Sequence, residues 1–188
     1  MDLKSLTKYL ESNIDTGQSI KIKNSLPEQN FHLVEENALI FEKNKLIGLK
    51  ITNKADLNIL HLLKYIPDNK YLTHLQIRNC RIKNLQNLSF FANLKEVSLI
   101  HDAITEIPDS LFNITTLEYL DLSYNHLKEI PKAIGILKEL KCLNLRANFL
   151  DRFPEELLKL KKLEKISIKF NKIQIFEKPL ETLNILAY

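Results

Sequence analysis

The chain has 188 residues, of which 45% are hydrophobic and 27% charged, so it holds enough apolar side chains for one domain with a buried core. Its formal net charge of +4 is too small for a nucleic-acid-binding tail, and its two cysteines are too few for a disulfide framework. No apolar run approaches the roughly 18 residues that a membrane span needs, so we expect none.

The N-terminus does not look like a secretory signal. It reads MDLKSLTKYLESNID, with Asp2 where a signal is basic and without a continuous apolar region. Few cysteines also suit a reducing compartment. We therefore expect a cytoplasmic protein; the alternative is a secreted protein whose signal has been removed.

The first 45 residues predict a cap made of a helix and a hairpin. Four apolar residues lie at helical spacing and Gly17 suits the helix end; they are Leu3, Leu6, Leu10 and Ile14. Apolar runs separated by polar turns follow. We expect residues 38–42 to pair antiparallel with the strand near Leu49.

From residue 46 onward one pattern of residue types recurs. Units begin at Leu46, Leu72, Leu94, Leu117, Leu140 and Leu163, and the last four starts are 23 residues apart. The unit from Leu117 has seven apolar positions, at Leu117, Leu120, Leu122, Leu127, Ile130, Ile134 and Leu137. Its Leu-x-Leu segment alternates as a strand does, so successive units should stack as parallel strands about 4.8 Å apart. A seventh start occurs at Leu186.

Other positions of the unit predict its turns. Asn125, Asn148 and Asn171 follow the strands, where an amide with donors and an acceptor can satisfy the backbone of a tight turn. Pro108, Pro131 and Pro154 occupy positions outside the strands, where no hydrogen bond between strands requires a backbone N–H. The longer first unit contains ADLNILHLLKYI, whose apolar residues predict a fuller helix; they are Leu57, Leu60, Leu62 and Leu63.

Over residues 46–183 this pattern resembles the leucine-rich repeat family, in the form LxxLxLxxNxLxxIPxxIxxLxx. The resemblance implies an α/β fold: a curved solenoid with parallel strands on its concave face and extended or short helical turns on its convex side. It also implies that Cys80 is acceptable at the asparagine position, while Asp102 is a weaker substitute. We divide the chain into an N-terminal helix and β-hairpin cap, 1–45, and a solenoid of six repeats with a short C-terminal stub, 46–188.

The concave face is where such a solenoid presents side chains, at positions 3, 5, 7 and 8 of each unit. Interface anchors are enriched in tyrosine and arginine, and both occur here. By analogy with the family, we expect protein–protein recognition by a monomer, with the partner unidentified. The plain alternative is that Tyr124 and Phe170 only pack along the strand ends. The candidate partner-binding residues are His74, Arg78, Ile100, His101, Tyr119, Asp121, Tyr124, Arg146, Lys169 and Phe170.

Catalytic and cofactor chemistry is not expected. His74 is predicted beside Glu96, but no serine or cysteine nucleophile completes a catalytic set, and Cys142 has no adjacent histidine. The sequence contains no zinc-ligand spacing and no glycine-rich nucleotide loop, so we predict no enzyme, metal site or cofactor.

One further hypothesis concerns charge. Six lysines fall in the last repeats, and they would suit nucleic acid or an anionic surface; they are Lys159, Lys161, Lys162, Lys165, Lys169 and Lys172. Glu96, Glu118 and Asp121 make the middle of the concave face acidic, which favours a protein partner over nucleic acid. A secreted effector or adhesin remains a third option.

Overall fold

The computed structural model describes residues 6, 8, 20–23, 37–43, 45–53, 57, 62, 65–66, 69–82, 85–173 and 186–187. These residues hold one sheet of nine strands whose order in space follows their order in sequence. The strands are β1 (Ile20–Lys23), β2 (Asn37–Glu42), β3 (Lys45–Thr52), β4 (His74–Arg78), β5 (Glu96–Ile100), β6 (Tyr119–Asp121), β7 (Cys142–Asn144), β8 (Lys165–Ser167) and β9 (Leu186–Ala187).

From β3 to β9 every neighbouring pair is parallel, and from β3 to β8 the register is the one that the repeat predicts. Equivalent residues stand side by side, as in the row Gly48, His74, Glu96, Tyr119, Cys142 and Lys165. Leu143 is buried between Leu120 and Ile166. A seventh strand is present, but the predicted start at Leu186 is wrong by two residues, because Leu186 pairs with Lys165 and therefore occupies position 3 of its unit. The solenoid expected from the sequence is therefore confirmed.

The connections between strands contain short 3-10 helices. They span Asn69–Tyr71, Leu85–Phe90, Asp109–Asn113, Lys132–Ile136 and Glu155–Lys159. Pro108, Pro131 and Pro154 each precede one of the last three, and the carbonyl of each proline accepts the first bond of its helix. Proline suits this place because its fixed φ enters the turn and its missing N–H is not needed.

The seven apolar positions of the unit from Leu117 are all buried, and one core runs through the solenoid. In the sixth unit Leu163 and Ile166 are buried, while Ile168 and Ile173 are partly buried against the same core. Phe176, Leu180 and Leu183 lie outside the described residues. Within the described part of the chain, no helix has the length and apolar character to cross a membrane.

The predicted hairpin is present at the N-terminal end of the sheet. Strand β2 pairs antiparallel with β3, with a bulge between Ile40 and Phe41. Strand β3 is also the strand of the first repeat, so the hairpin and the solenoid share it. Strand β1, which the sequence analysis did not predict, pairs parallel with β2. The division at residue 45 stays a prediction.

The predicted helices of the N-terminal region and first repeat are described only at single residues. Leu6 is helical and fully buried in the core, and Leu57 and Leu62 are fully buried as well. The other residues of those predictions lie outside the described residues: Leu3, Leu10, Ile14, Gly17, Leu60 and Leu63.

Asparagine side chains join each repeat to the one before it. The Asn125 Oδ1 accepts from the backbone N–H groups of Asp102 and Ile104, both at 3.0 Å. Its Nδ2 donates to the carbonyls of Leu99 and Leu122, at 2.7 and 3.0 Å. Asn148 and Asn171 likewise bridge two repeats. We call this series, with Asp102 and Cys80 at its start, the asparagine ladder.

Asp102 is the weak member of the ladder, as the sequence predicted. Its Oδ1 accepts from the Cys80 N–H at 2.7 Å, but its buried Oδ2 has no hydrogen-bond partner among the described residues. Burial, opposed in part by the Cys80 N–H, raises the pKa of the Asp102 carboxyl to about 7. An asparagine would place a donor where this oxygen lies.

The first prediction tests the ladder. Asn148→Ala should lower the free energy of unfolding by roughly 1–3 kcal/mol, because it leaves buried backbone groups without partners. Urea denaturation measures this. Asn113→Ala, an exposed asparagine on a 3-10 helix, is the control and should change stability by less than about 0.5 kcal/mol. Equal effects of the two changes would contradict the ladder.

The second prediction concerns pH. The folded state raises the Asp102 pKa from 3.8 to about 7, so it binds this proton more tightly than the unfolded chain does. Stability should therefore fall as the pH rises through that window and stay low above it. Asp102→Asn cannot ionise. It should be more stable than the natural chain by roughly 1–4 kcal/mol at pH 8, with the gap under about 1 kcal/mol near pH 4. Urea denaturation measures both proteins at both pH values. An equal difference in unfolding free energy at pH 4 and pH 8 would contradict the raised pKa of Asp102.

Candidate binding surface on the concave face

The position-5 row lies on the concave side but is largely closed to solvent. Lys50, Gln76, Ser98 and Asp121 are all buried. Neighbouring strands stand about 4.8 Å apart, so side chains in adjacent rows cover one another. These four side chains are therefore less accessible than their outward position in the repeat predicted, while partner contact by Asp121 stays a prediction.

Asp121, a predicted partner-binding residue, has its carboxylate bonded within the sheet. Its Oδ1 accepts from the Ser123 N–H at 2.9 Å. Its Oδ2 accepts from Asn144 Nδ2 at 2.9 Å and from the Tyr119 hydroxyl at 3.3 Å. Burial, and then the Asp121 charge, raise the pKa of Tyr119. These two predicted residues thus support the strands of the central repeats.

Position 8 of every repeat has a left-handed backbone conformation. The residues and their φ angles are Asn53 (54°), Asn79 (56°), His101 (59°), Tyr124 (57°), Ala147 (53°) and Phe170 (59°). Each comes directly before the ladder position, where the chain turns inward. Tyr124 remains 47% exposed and Phe170 68% exposed. The turn therefore presents large aromatic side chains at the edge where the strands end.

Arg146 connects two of these aromatic residues. Its Nε donates to the Tyr124 hydroxyl at 3.1 Å. The guanidinium carbon lies 4.3 Å from the centre of the Phe170 ring and 5.9 Å from that of Tyr124. We call Tyr124, Arg146 and Phe170 the aromatic–arginine cluster. The sequence placed these residues in three successive repeats, and the structure brings them into contact.

A second group of exposed side chains extends this edge, and the sequence analysis missed most of it. The rings of His126 and Phe149 are 5.6 Å apart, and Lys172 Nζ lies 5.2 Å from the centre of the Phe149 ring. These residues occupy position 10, just after the ladder residue. An exposed aromatic at that position was the available signal.

The other predicted residues lie further along the sheet. His74 Nε2 is 3.5 Å from Glu96 Oε1, so the predicted neighbours do meet. The His74 Nδ1 is also 2.7 Å from the Thr73 hydroxyl. Arg78 and His101 are exposed and Ile100 is half-buried. The register separates His74 and Arg78, on β4, from β6 by one strand.

The charges of the face differ from those that the sequence suggested. Glu118 pairs with Lys141 at 2.6 Å and Lys95 at 3.7 Å. The Lys141 ammonium is the main reason that the pKa of Glu118 is lowered. With Asp121 buried as well, much of the expected acidity in the middle of the face is balanced locally.

The C-terminal lysines do not form one patch. Lys159 lies in a 3-10 helix, and Lys162 pairs with Glu139 at 2.5 Å. Lys165 is in β8, Lys169 is at position 7 beyond that strand, and Lys172 is at position 10; all three are exposed. The run is thus divided between the convex side and the edge near the aromatic–arginine cluster.

Comparison with known proteins agrees with this architecture. A family model described as a leucine-rich repeat region matches residues 49–187. Among solved structures, a leucine-rich repeat protein of Leptospira interrogans covers 91% of the chain at 24% identity, with a TM-score of 0.66. Internalin C2 of Listeria monocytogenes covers 77% at 25% identity, with a TM-score of 0.64. The chain spans 49% and 60% of those two proteins. The search of curated proteins found no significant match to the sequence.

The third prediction follows from the bonding of Asp121. Asp121→Ala removes the acceptor of three donors and should lower the free energy of unfolding by roughly 1–3 kcal/mol. Asp151→Ala, at an exposed aspartate, is the control and should have an effect below about 0.5 kcal/mol. Urea denaturation of both variants decides whether Asp121 supports the fold, and matching values would argue against it.

Proposed function

The chain belongs to the leucine-rich repeat family, as its repeats predicted, and we propose that it is a protein-binding module that holds a partner protein on its concave face. The observation that carries this proposal is the exposed aromatic–arginine cluster at the edge of that face. Tyrosine and arginine are the residue types that most often carry binding energy in protein interfaces. The proposal assigns no catalytic step to the chain.

The rigidity of the scaffold supports the proposal. Parallel pairing and the asparagine ladder hold successive rows of side chains in a fixed register. A surface that is already ordered loses less conformational entropy when a partner binds. The scaffold therefore suits recognition by fixed side chains.

Exposure and hydrogen bonding favour some of the predicted residues over others for direct contact with a partner. Tyr119 and Asp121 support the strands, so their contribution to binding would be indirect. The residues that we propose for direct contact are Arg78, His101, Tyr124, Arg146, Lys169 and Phe170, with half-buried Ile100 beside them. Exposed aromatic side chains and a guanidinium fit an interface core, and lysines fit its rim.

Nucleic-acid binding through the C-terminal lysines is less well supported. Those lysines are divided between two sides of the solenoid, and Lys162 is already paired with Glu139. A groove that follows a phosphate backbone needs its cations along one continuous track. We therefore do not propose this function.

The fourth prediction tests the surface. A partner captured from native lysate would be identified by mass spectrometry, purified and titrated against the chain by calorimetry. Tyr124→Ala with Arg146→Glu should weaken its binding at least about thirtyfold, equivalent to about 2 kcal/mol, because interface anchors are lost. Circular dichroism should show the fold intact, since both side chains project from the edge.

The matched control makes the same changes elsewhere. Phe90 is 56% exposed in a 3-10 helix and Arg152 is exposed beyond a ladder turn. Phe90→Ala with Arg152→Glu therefore makes the same change of charge and also removes one exposed aromatic ring. This control should leave affinity unchanged. If both double variants bind the partner alike, the binding site lies away from the cluster.

A further inference from the structure

The aromatic residues of the cluster occupy a backbone conformation that disfavours them. Positive φ is uncommon outside glycine and is tolerated best by asparagine and aspartate. The first two repeats place Asn53 and Asn79 at this position, and their side chains bond to each other at 2.8 Å. The turn itself therefore does not require Tyr124 or Phe170.

Burial does not offset this conformational cost. Tyr124 and Phe170 are about half and two-thirds exposed. What they share is Arg146, whose guanidinium contacts both rings. Cation–π contacts at exposed sites stabilise by only about 0.5–1 kcal/mol. The two rings therefore add little to the stability of the fold. Their main effect is to hold the Arg146 guanidinium in one orientation.

Arg146 has no acidic partner among the described residues. Among the described residues, no carboxylate lies within ion-pair distance of Arg146, Lys169 or Lys172. The nearest carboxylate on the neighbouring strand, Asp121, is buried and already accepts three hydrogen bonds. Within the part of the chain that the structure describes, this edge therefore carries three cations that are not paired with a carboxylate.

The Arg146 guanidinium retains donors for a ligand. Its Nε is bonded to the Tyr124 hydroxyl, and guanidinium has five N–H donors in a planar fork. Such a fork binds a carboxylate through two parallel hydrogen bonds. Because Phe170 and Tyr124 restrain the plane, less rotamer entropy is lost when that pair forms.

We infer that the aromatic–arginine cluster is a carboxylate-binding subsite, and that the partner presents an acidic protein segment to it. Arg146 receives one carboxylate, Lys169 and Lys172 attract others, and the exposed rings take an apolar side chain of the same segment. This inference rests on the proposed function, since it names the chemistry of the partner at that surface.

A protein segment fits better than the other anionic partners. The three cations lie within two successive repeats, whose strands are about 5 Å apart, which is short for a phosphate backbone. Charge and aromatic area together suit an acidic segment with an apolar residue.

The fifth prediction uses the peptide EEEFEEE as the probe and QQQFQQQ as its uncharged control. Millimolar peptide is added to the full chain while the Hε–Nε resonance of Arg146 is followed by NMR. The acidic peptide should produce a saturable shift that weakens with salt, and the control peptide should produce none. No saturable shift with the acidic peptide would overturn the inference.

Two variants separate binding from folding. Arg146→Lys keeps the charge but loses the fork, and it should weaken peptide affinity at least about tenfold. Tyr124→Asn suits the left-handed turn, so it should fold at least as stably while also binding more weakly. The control Arg152→Lys should bind as the natural chain does. Unchanged affinity in both cluster variants would overturn the inference.

Two further titrations test nucleic acid and lipid as the anionic partner. Oligo(dT) and phosphatidylserine vesicles replace the peptide in the same titration, and tighter binding of either through Arg146 would overturn the acidic-segment assignment.

The experiments distinguish failure of the carboxylate subsite from failure of the proposed concave interface. If the captured partner is lost in the double variant but no peptide binds, the carboxylate subsite fails alone. If the peptide binds Arg146 but the partner ignores the double variant, the proposed concave interface fails.

Discussion

Each turn that ends a strand leaves backbone N–H and C=O groups inside the protein, and one side chain from the next repeat satisfies them. Asn125 shows the arrangement: its oxygen accepts from the preceding repeat and its nitrogen donates to carbonyls of both repeats. Buried backbone groups without partners would each cost about 1–3 kcal/mol. The spacing of strands, the register of the rows and the direction of the core all depend on this contact.

The ladder also explains why the two ends of the solenoid differ. Toward the C-terminus, Asn148 and Asn171 repeat the bonding of Asn125. Toward the N-terminus, one buried oxygen of Asp102 has no partner among the described residues. Cys80 offers only a thiol, which lies 3.2 Å from the Arg78 carbonyl and 3.8 Å from the Ile51 carbonyl of the preceding repeat. Because each repeat contacts only its neighbours, these weaker links act locally. Because burial raises the pKa of Asp102 to about 7, the stability of its turn should depend on pH near neutrality.

The same turn creates the surface that we propose for binding. The ladder residue points inward, so the chain must reverse at the residue before it, which takes a left-handed conformation. In the first repeats that residue is Asn53 or Asn79, whereas Tyr124 and Phe170 stand there later. The ladder residue thus satisfies the turn, while the residue just before it determines which side chain the edge exposes. The scaffold is preserved while the exposed edge varies.

The sequence by itself determined the repeat, the strand register, the core positions and the role of the ladder residues, because these follow from local periodicity and from backbone groups that every turn must satisfy. It also placed Tyr124 and Arg146 in neighbouring rows. Only the tertiary structure decided which exposed-looking residues reach solvent. Asp121 occupies an outward position in the repeat, yet side chains of the neighbouring strands bury it, and its carboxylate accepts three hydrogen bonds. The contact of Arg146 with Phe170, and the pairing of Glu118 with lysines, likewise depend on side-chain conformations across strands, which no period in the sequence encodes.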